Sequence, residues 1–158
     1  MAGIRVFARL RPTPAAAAAA ATSAATSSHT TEEAQCAILD AGSSNGILLL
    51  PASPLAAGEV FSYDGVLPPA ASQAAVFESV VAPQLEALFA GVNVSVLCYG
   101  MTGSGKTHTA VGGRGPQAGI IPRAVDTIFR RIADAQAANP GALCPDFRAT
   151  TQIVEVYN

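Results

Sequence analysis

Apolar and polar positions alternate at the start of the chain. Ile4, Val6 and Ala8 take turns with Arg5, Phe7 and Arg9, which predicts a strand over Gly3 to Leu10, closed by Arg11-Pro12. Residues 13–35 then offer little to bury except alanine, and their Ala/Ser/Thr-rich run 13–31 is low-complexity. Alanine favours helix, but a segment without an apolar face has nothing to dock, so a surface insertion is expected there. Ile38 to Leu50 holds two apolar runs split by Asp40 to Gly46, the pattern of a small hairpin with a wide turn. Phe61 to Leu67 predicts another strand, stopped by Pro68-Pro69. From Ser72 the period lengthens. Phe77, Val81, Leu85 and Leu88 fall on one helical face, with Ser72 placed to cap, Pro83 to bend and Gly91 to end the helix. Val92 to Tyr99 reads as a buried strand that runs straight into glycines. A second helix shows Ile121, Val125, Ile128, Phe129 and Ile132 on one face, with Pro122 at its first helical position and Asn139-Pro140-Gly141 as its stop. Phe147 to Tyr157 predicts a last strand. Strands alternating with helices imply an α/β layered sheet.

Composition tempers this picture. Half of the residues are apolar, but 33 of those are alanine, so the core must come from the second half of the chain. A net charge of −2 argues against nucleic-acid binding by bulk positive charge. Cys36, Cys98 and Cys144 share no CxxC spacing and read as reduced thiols. Two histidines are too few for a histidine-based metal site, and no apolar run approaches the roughly 20 residues of a membrane span. The first acidic residue is Glu32, and the arginines, alanines and hydroxyl residues before it imitate an organelle transit peptide. The alternation from Ile4 to Arg9 favours a strand in its place.

The chemistry lies in Gly100, Met101, Thr102, Gly103, Ser104, Gly105, Lys106 and Thr107, which fill the phosphate-loop pattern GxxxxGK followed by Ser or Thr. The glycines let the backbone turn so that successive N–H groups can face phosphate oxygens. A helix starting near Lys106 adds its N-terminal partial charge. Lys106 supplies a mobile cation for the β- and γ-phosphates, and Thr107 a hydroxyl for Mg²⁺. A chance glycine-rich turn is the bland alternative. A strand before the loop and a helix after it are what a true phosphate loop requires.

The surroundings resemble a known family. Residues 91–109 (GVNVSVLCYGMTGSGKTHT) are similar to the kinesin block GxNxxxxxYGxTGSGKTxT, with Met101 where that family usually has glutamine. Arg9 to Pro12 resembles its RxRP motif, Phe61 to Val66 its FxFDxVF strand, and Gln73 to Phe77 its QxxVF helix start. Gly119 to Ala124 resembles GIIPR, and Val154 to Asn158 resembles xEIYNE. The resemblance implies that residues 1–158 are the N-terminal part of a kinesin-type motor head, a P-loop NTPase sheet flanked by helices, with 13–35 as an insertion within it. It implies ATP and Mg²⁺ as ligands, Arg9, Arg11 and Pro12 flanking the adenine, and His108 beside the base. Arg11 and His108 could equally be exposed bystanders, and Tyr99 reads as core or pocket wall. Gly112 to Ala118 would be a short, flexible loop after the phosphate-loop helix. The implied activity is ATP hydrolysis coupled to movement along microtubules, with a cytoplasmic, cytoskeletal location and a possible dimer in the intact protein.

The two switch motifs that the resemblance leads one to expect, NxxSSR and DLAGSE, do not occur before Asn158. No carboxylate pair and no Ser/His/Asp grouping near the loop replaces them. The expectation is that residues 1–158 lack turnover by themselves, and that contact with tubulin falls to elements beyond them. A non-motor kinesin-like binding protein is the second reading. A small-molecule kinase is the third, and it leaves the RxRP, GIIPR and EIYN-like motifs as coincidences.

Overall fold

A computed structural model describes residues 3–12, 36–41, 44–49, 59–138 and 149–155. Five strands, β1 (Phe7–Arg9), β2 (Cys36–Ala41), β3 (Ser44–Leu49), β4 (Glu59–Tyr63) and β5 (Gly65–Leu67), form two small sheets. In one, β1 and β5 run parallel, with Ala8 opposite Val66. In the other, β2, β3 and β4 are antiparallel. The predicted strand over 61–67 is therefore two strands with a bend at Asp64. Its backbone N–H donates to the Val6 carbonyl (2.8 Å), and its carboxylate accepts from the Val6 N–H (2.6 Å). Those two bonds end one sheet and begin the other.

The hairpin is tighter than the sequence suggests. Pairing continues to Ala41 opposite Ser44, so only residues 42 and 43 join the strands. The turn signals over 40–46 were shared between strand and turn, because Asp40, Asn45 and Gly46 sit within the ladder. The first strand is shorter than predicted, since β5 offers only three residues to pair with.

The helical stripe from Ser72 is realised as two helices, α1 (Gln73–Val80) and α2 (Ala82–Phe89), broken at Val81. The Ser72 hydroxyl caps α1 by accepting from the Ala75 N–H, and Pro83 lies in the first turn of α2, where a missing N–H is harmless. Val76, Phe77, Val81 and Leu85 join Leu67 and Ile120 in one buried cluster, whereas Leu88 is exposed. Phe77→Ala in the intact protein is expected to cost about 3–5 kcal/mol of stability. A chemical-denaturation midpoint equal to that of the unchanged protein would contradict this.

The short helix α3 (Lys106–Ala110), a 3-10 turn (Gly115–Gln117) and the long helix α4 (Ile120–Ala138) complete the described elements. In α4 the face toward the core only partly matches the predicted one, which it shares at Ile128. Ile120 is buried and Ala124 and Ile128 pack behind it, while Ile121, Val125 and Phe129 remain exposed. The helix begins at Ile120, so Pro122 is its third residue. Arg131 ties α4 to α2 through Glu86 (2.9 Å) and lies over the Phe89 ring. The stop at 139–141 lies outside the described residues, as does the alanine-rich stretch 13–35.

Two predicted strands are not found among the described residues. Val92 to Tyr99 pairs with no strand among the described residues; Leu97 is 88% and Tyr99 95% exposed, so Tyr99 is neither core nor pocket wall. Only its Cys98 side reaches the core. A strand that is apolar on both faces needs neighbours at both edges, and no described element supplies them. Residues 149–155 are likewise not in a strand, with Ile153 and Val154 exposed, and Tyr157 falls outside the described residues.

Candidate functional site

The segment from Gly100 to Thr107 leaves the extended run 92–99 and turns into α3. Gly105 occupies the N-cap of α3 with φ +104°, a backbone state that L side chains rarely adopt, so glycine is required there. The turn opens a cleft of about 310 Å³, lined by Thr102, Gly103, Gly105, Lys106, Thr107 and His108. The Lys106 ammonium donates to the carbonyls of Gly100 (2.9 Å) and Met101 (2.8 Å) at the lip of this cleft. Met101 itself is exposed, and Ser104 lies against Gly100.

The arginines around the cleft divide in two. Arg11, exposed beside Pro12, donates to the Gly103 carbonyl (2.7 Å) and so touches the loop's backbone. Arg9 turns inward. Its Nη1 donates to Gln73 Oε1 and Thr109 Oγ1, each at 2.8 Å. Burial lowers the Arg9 pKa from its usual value, an effect that Cys98 opposes, and the guanidinium keeps its charge at any physiological pH. The side chains of Arg9 and Arg11 thus contact residues in or next to the cleft lining without joining it, Pro12 is exposed, and His108 is within the lining.

Gln73 is the residue that motif reading left without a role. It is only 3% exposed, and its carboxamide is used at both ends. Its oxygen accepts from Arg9, while Nε2 donates to the carbonyls of His108 (2.6 Å) and Gln117 (3.3 Å). A signal was present in the sequence: stepping back four residues from Phe77 along the stripe Phe77, Val81 and Leu85 lands on Gln73, a polar group on a buried face.

The loop after α3 is closed, not loose. Gly112 bridges Ala118, the Gly113 N–H donates to Gln117 (2.7 Å), and Gly119 donates to Val111 (2.8 Å). Arg123 from α4 adds bonds to the carbonyls of Ala118 (2.9 Å) and Pro116 (3.0 Å). A side chain at Gly112 would collide with the Gln117 carbonyl, so the closure depends on glycine there.

The arrangement suits an anion that carries a metal with it. Lys106 and a glycine-rich turn face the cleft, and Thr107 places a hydroxyl in its wall. No cluster of His, Cys, Asp or Glu able to hold a metal by itself occurs among the described residues. Mg²⁺, which usually keeps several waters and shares phosphate oxygens, does not need one.

A family model of the kinesin motor domain matches residues 9–158. Kinesin-like protein klp-12 of Caenorhabditis elegans is 45% identical over 107 residues, covering 62% of this chain and 7% of its own length. Chromosome-associated kinesin KIF4 of Xenopus laevis is 38% identical over 104 residues, covering 62% and 8%. The chain thus spans less than a tenth of these relatives. Among solved structures, Drosophila NOD, docked with bovine tubulin into a map of nucleotide-free NOD complexed to the microtubule, aligns at TM-score 0.64 and 20% identity. It covers 88% of this chain and 41% of its own. A structure from mutants that reveal a signalling pathway for activation of the kinesin motor ATPase aligns at TM-score 0.66 and 23% identity, covering 87% and 41%. These likenesses show the fold: an α/β motor head, of which the described residues form a part.

Proposed function

Since the chain belongs to the kinesin motor family, we propose that residues 1–158 are the ATP-binding N-terminal part of a microtubule motor head, with 13–35 as an insertion within it. The observation that carries this reading is the cleft formed by Thr102 to His108, with the Lys106 ammonium at its lip. Lys106 and the backbone of Gly100 to Gly105 hold the phosphates of ATP. The Thr107 hydroxyl is the protein's ligand to Mg²⁺, which when bound neutralises charge on the phosphate oxygens. His108 borders the adenine, and Arg11 meets the loop at the Gly103 carbonyl. Arg9 acts from behind, through Thr109 and Gln73.

Turnover requires groups that orient the attacking water and sense the γ-phosphate, and residues 1–158 contain neither switch motif. Movement along microtubules, contact with tubulin and a cytoskeletal location are therefore properties proposed for the intact protein. In it, γ-phosphate contact orders the switches, and their release after hydrolysis alters the track-binding surface. No described helix is long and apolar enough to cross a membrane.

The test is ATP hydrolysis by the intact protein with and without microtubules, beside the polypeptide of residues 1–158. Microtubule-stimulated turnover by the former, and none by the latter, is expected. Sedimentation with microtubules that neither depends on ATP nor accompanies hydrolysis would replace the motor with a non-motor binding protein.

A further inference from the structure

The cleft is anchored at two ends by separate groups. At the phosphate end, Lys106 bonds the carbonyls of Gly100 and Met101, and Arg11 bonds that of Gly103. At the other end the backbone of α3 is held from behind, by Gln73 at the His108 carbonyl and by Arg9 at the Thr109 hydroxyl. Gln73 and Arg9 are themselves joined. The same Gln73 nitrogen also reaches the Gln117 carbonyl, which binds the closed loop 112–118 to this end.

We propose that Gln73 is a positioning residue for the nucleotide cleft: its carboxamide fixes the His108 end, and so the seat of the nucleoside, independently of the phosphate end. The proposal rests on the reading of the cleft as a nucleotide site. Lys106 and Thr107 supply the cation and the hydroxyl that phosphates require, and His108 is the one ring in the lining, which leaves it to meet the nucleoside. The position of His108 is then set by a bond to its own carbonyl from a buried donor. Buried polar groups with every bond made hold one geometry, and small displacements of a positioning group weaken recognition by large factors.

Gln73→Glu separates the two halves of the carboxamide. An oxygen that accepts from Arg9 is kept, now as a charge pair, while the donor to His108 and Gln117 becomes an oxygen that repels both carbonyls. In the intact protein, dissociation constants for ATP, GTP and inorganic tripolyphosphate, each with Mg²⁺, read out the two ends separately. Gln73→Glu is expected to weaken ATP about tenfold, to bring the ATP and GTP constants closer together, and to leave tripolyphosphate within about twofold of its original value. Gln73→Met, of similar length and without charge, is expected to do the same. A residue that merely supported the fold would lower all three affinities in proportion. Such a proportional loss, no change in any of them, or loss of the cooperative melt in both variants would overturn the proposal. If the unchanged protein bound tripolyphosphate but did not prefer ATP to GTP, the adenine reading of the cleft would fall, and the inference with it. If it bound none of the three, the phosphate loop would have been misread from the start.

Discussion

Lys106→Ala in the intact protein raises the dissociation constant for ATP by at least about 100-fold, the result expected if two charge-assisted hydrogen bonds of about 1.5–3 kcal/mol each are removed. The fold gives this substitution little else to disturb. The lysine is half-buried, and its present partners are the carbonyls of Gly100 and Met101 in an exposed turn, which water can satisfy once the ammonium is gone. The melting temperature should therefore stay close to that of the unchanged protein while nucleotide binding is lost. Isothermal titration alongside a thermal melt separates the two. An unaltered ATP affinity would sink the assignment of the cleft.

The second large effect concerns the polypeptide of residues 1–158 by itself. Among the described residues the buried cluster is small, built from Leu67, Val76, Phe77, Val81, Leu85 and Ile120. Against it stand Ile4, Leu97, Tyr99 and Ile153, all almost fully exposed, and the half-bare stripe Ile121, Val125 and Phe129 on α4. Apolar surface on this scale signals a face that expects a partner. Circular dichroism of the polypeptide should show helix that melts gradually, with strong binding of a hydrophobic dye, as loosely packed states do. A single sharp transition without dye binding would show that these residues are sufficient for a stable domain.

What the sequence made legible was whatever depends on near neighbours. The Ser72 cap, the glycine at 105 and the periodic stripe of Phe77, Val81 and Leu85 are local choices, and each appears where the pattern places it. The residues of the cleft wall all fall between Thr102 and His108, so a motif captures them together. What escaped depends on distant partners. Val92 to Tyr99 has the composition of a central strand, but pairing is a property of two strands, and composition describes only one. On α4 the pattern placed Ile128 on the core side but missed Ile120 and Ala124, because alanine at 124 counts for little in an apolar tally, yet packs against the core. Gln73 joins β1, α3 and the loop 112–118 across separations of 64, 35 and 44 residues. No local window shows that convergence, although its place on a buried stripe hints at it.

The bend at Asp64 bears on a different question, the fate of the alanine repeat. β1 is secured to β5 and to Asp64, and β2 to the antiparallel sheet, so residues 13–35 link two independently fastened edges. The closure entropy of a connection rises by only about 0.6 kcal/mol when its length doubles. Because β1 and β2 are each held by pairing with other strands, lengthening or shortening the alanine-rich stretch is expected to leave the β1–β5 register, and with it Arg9, unchanged.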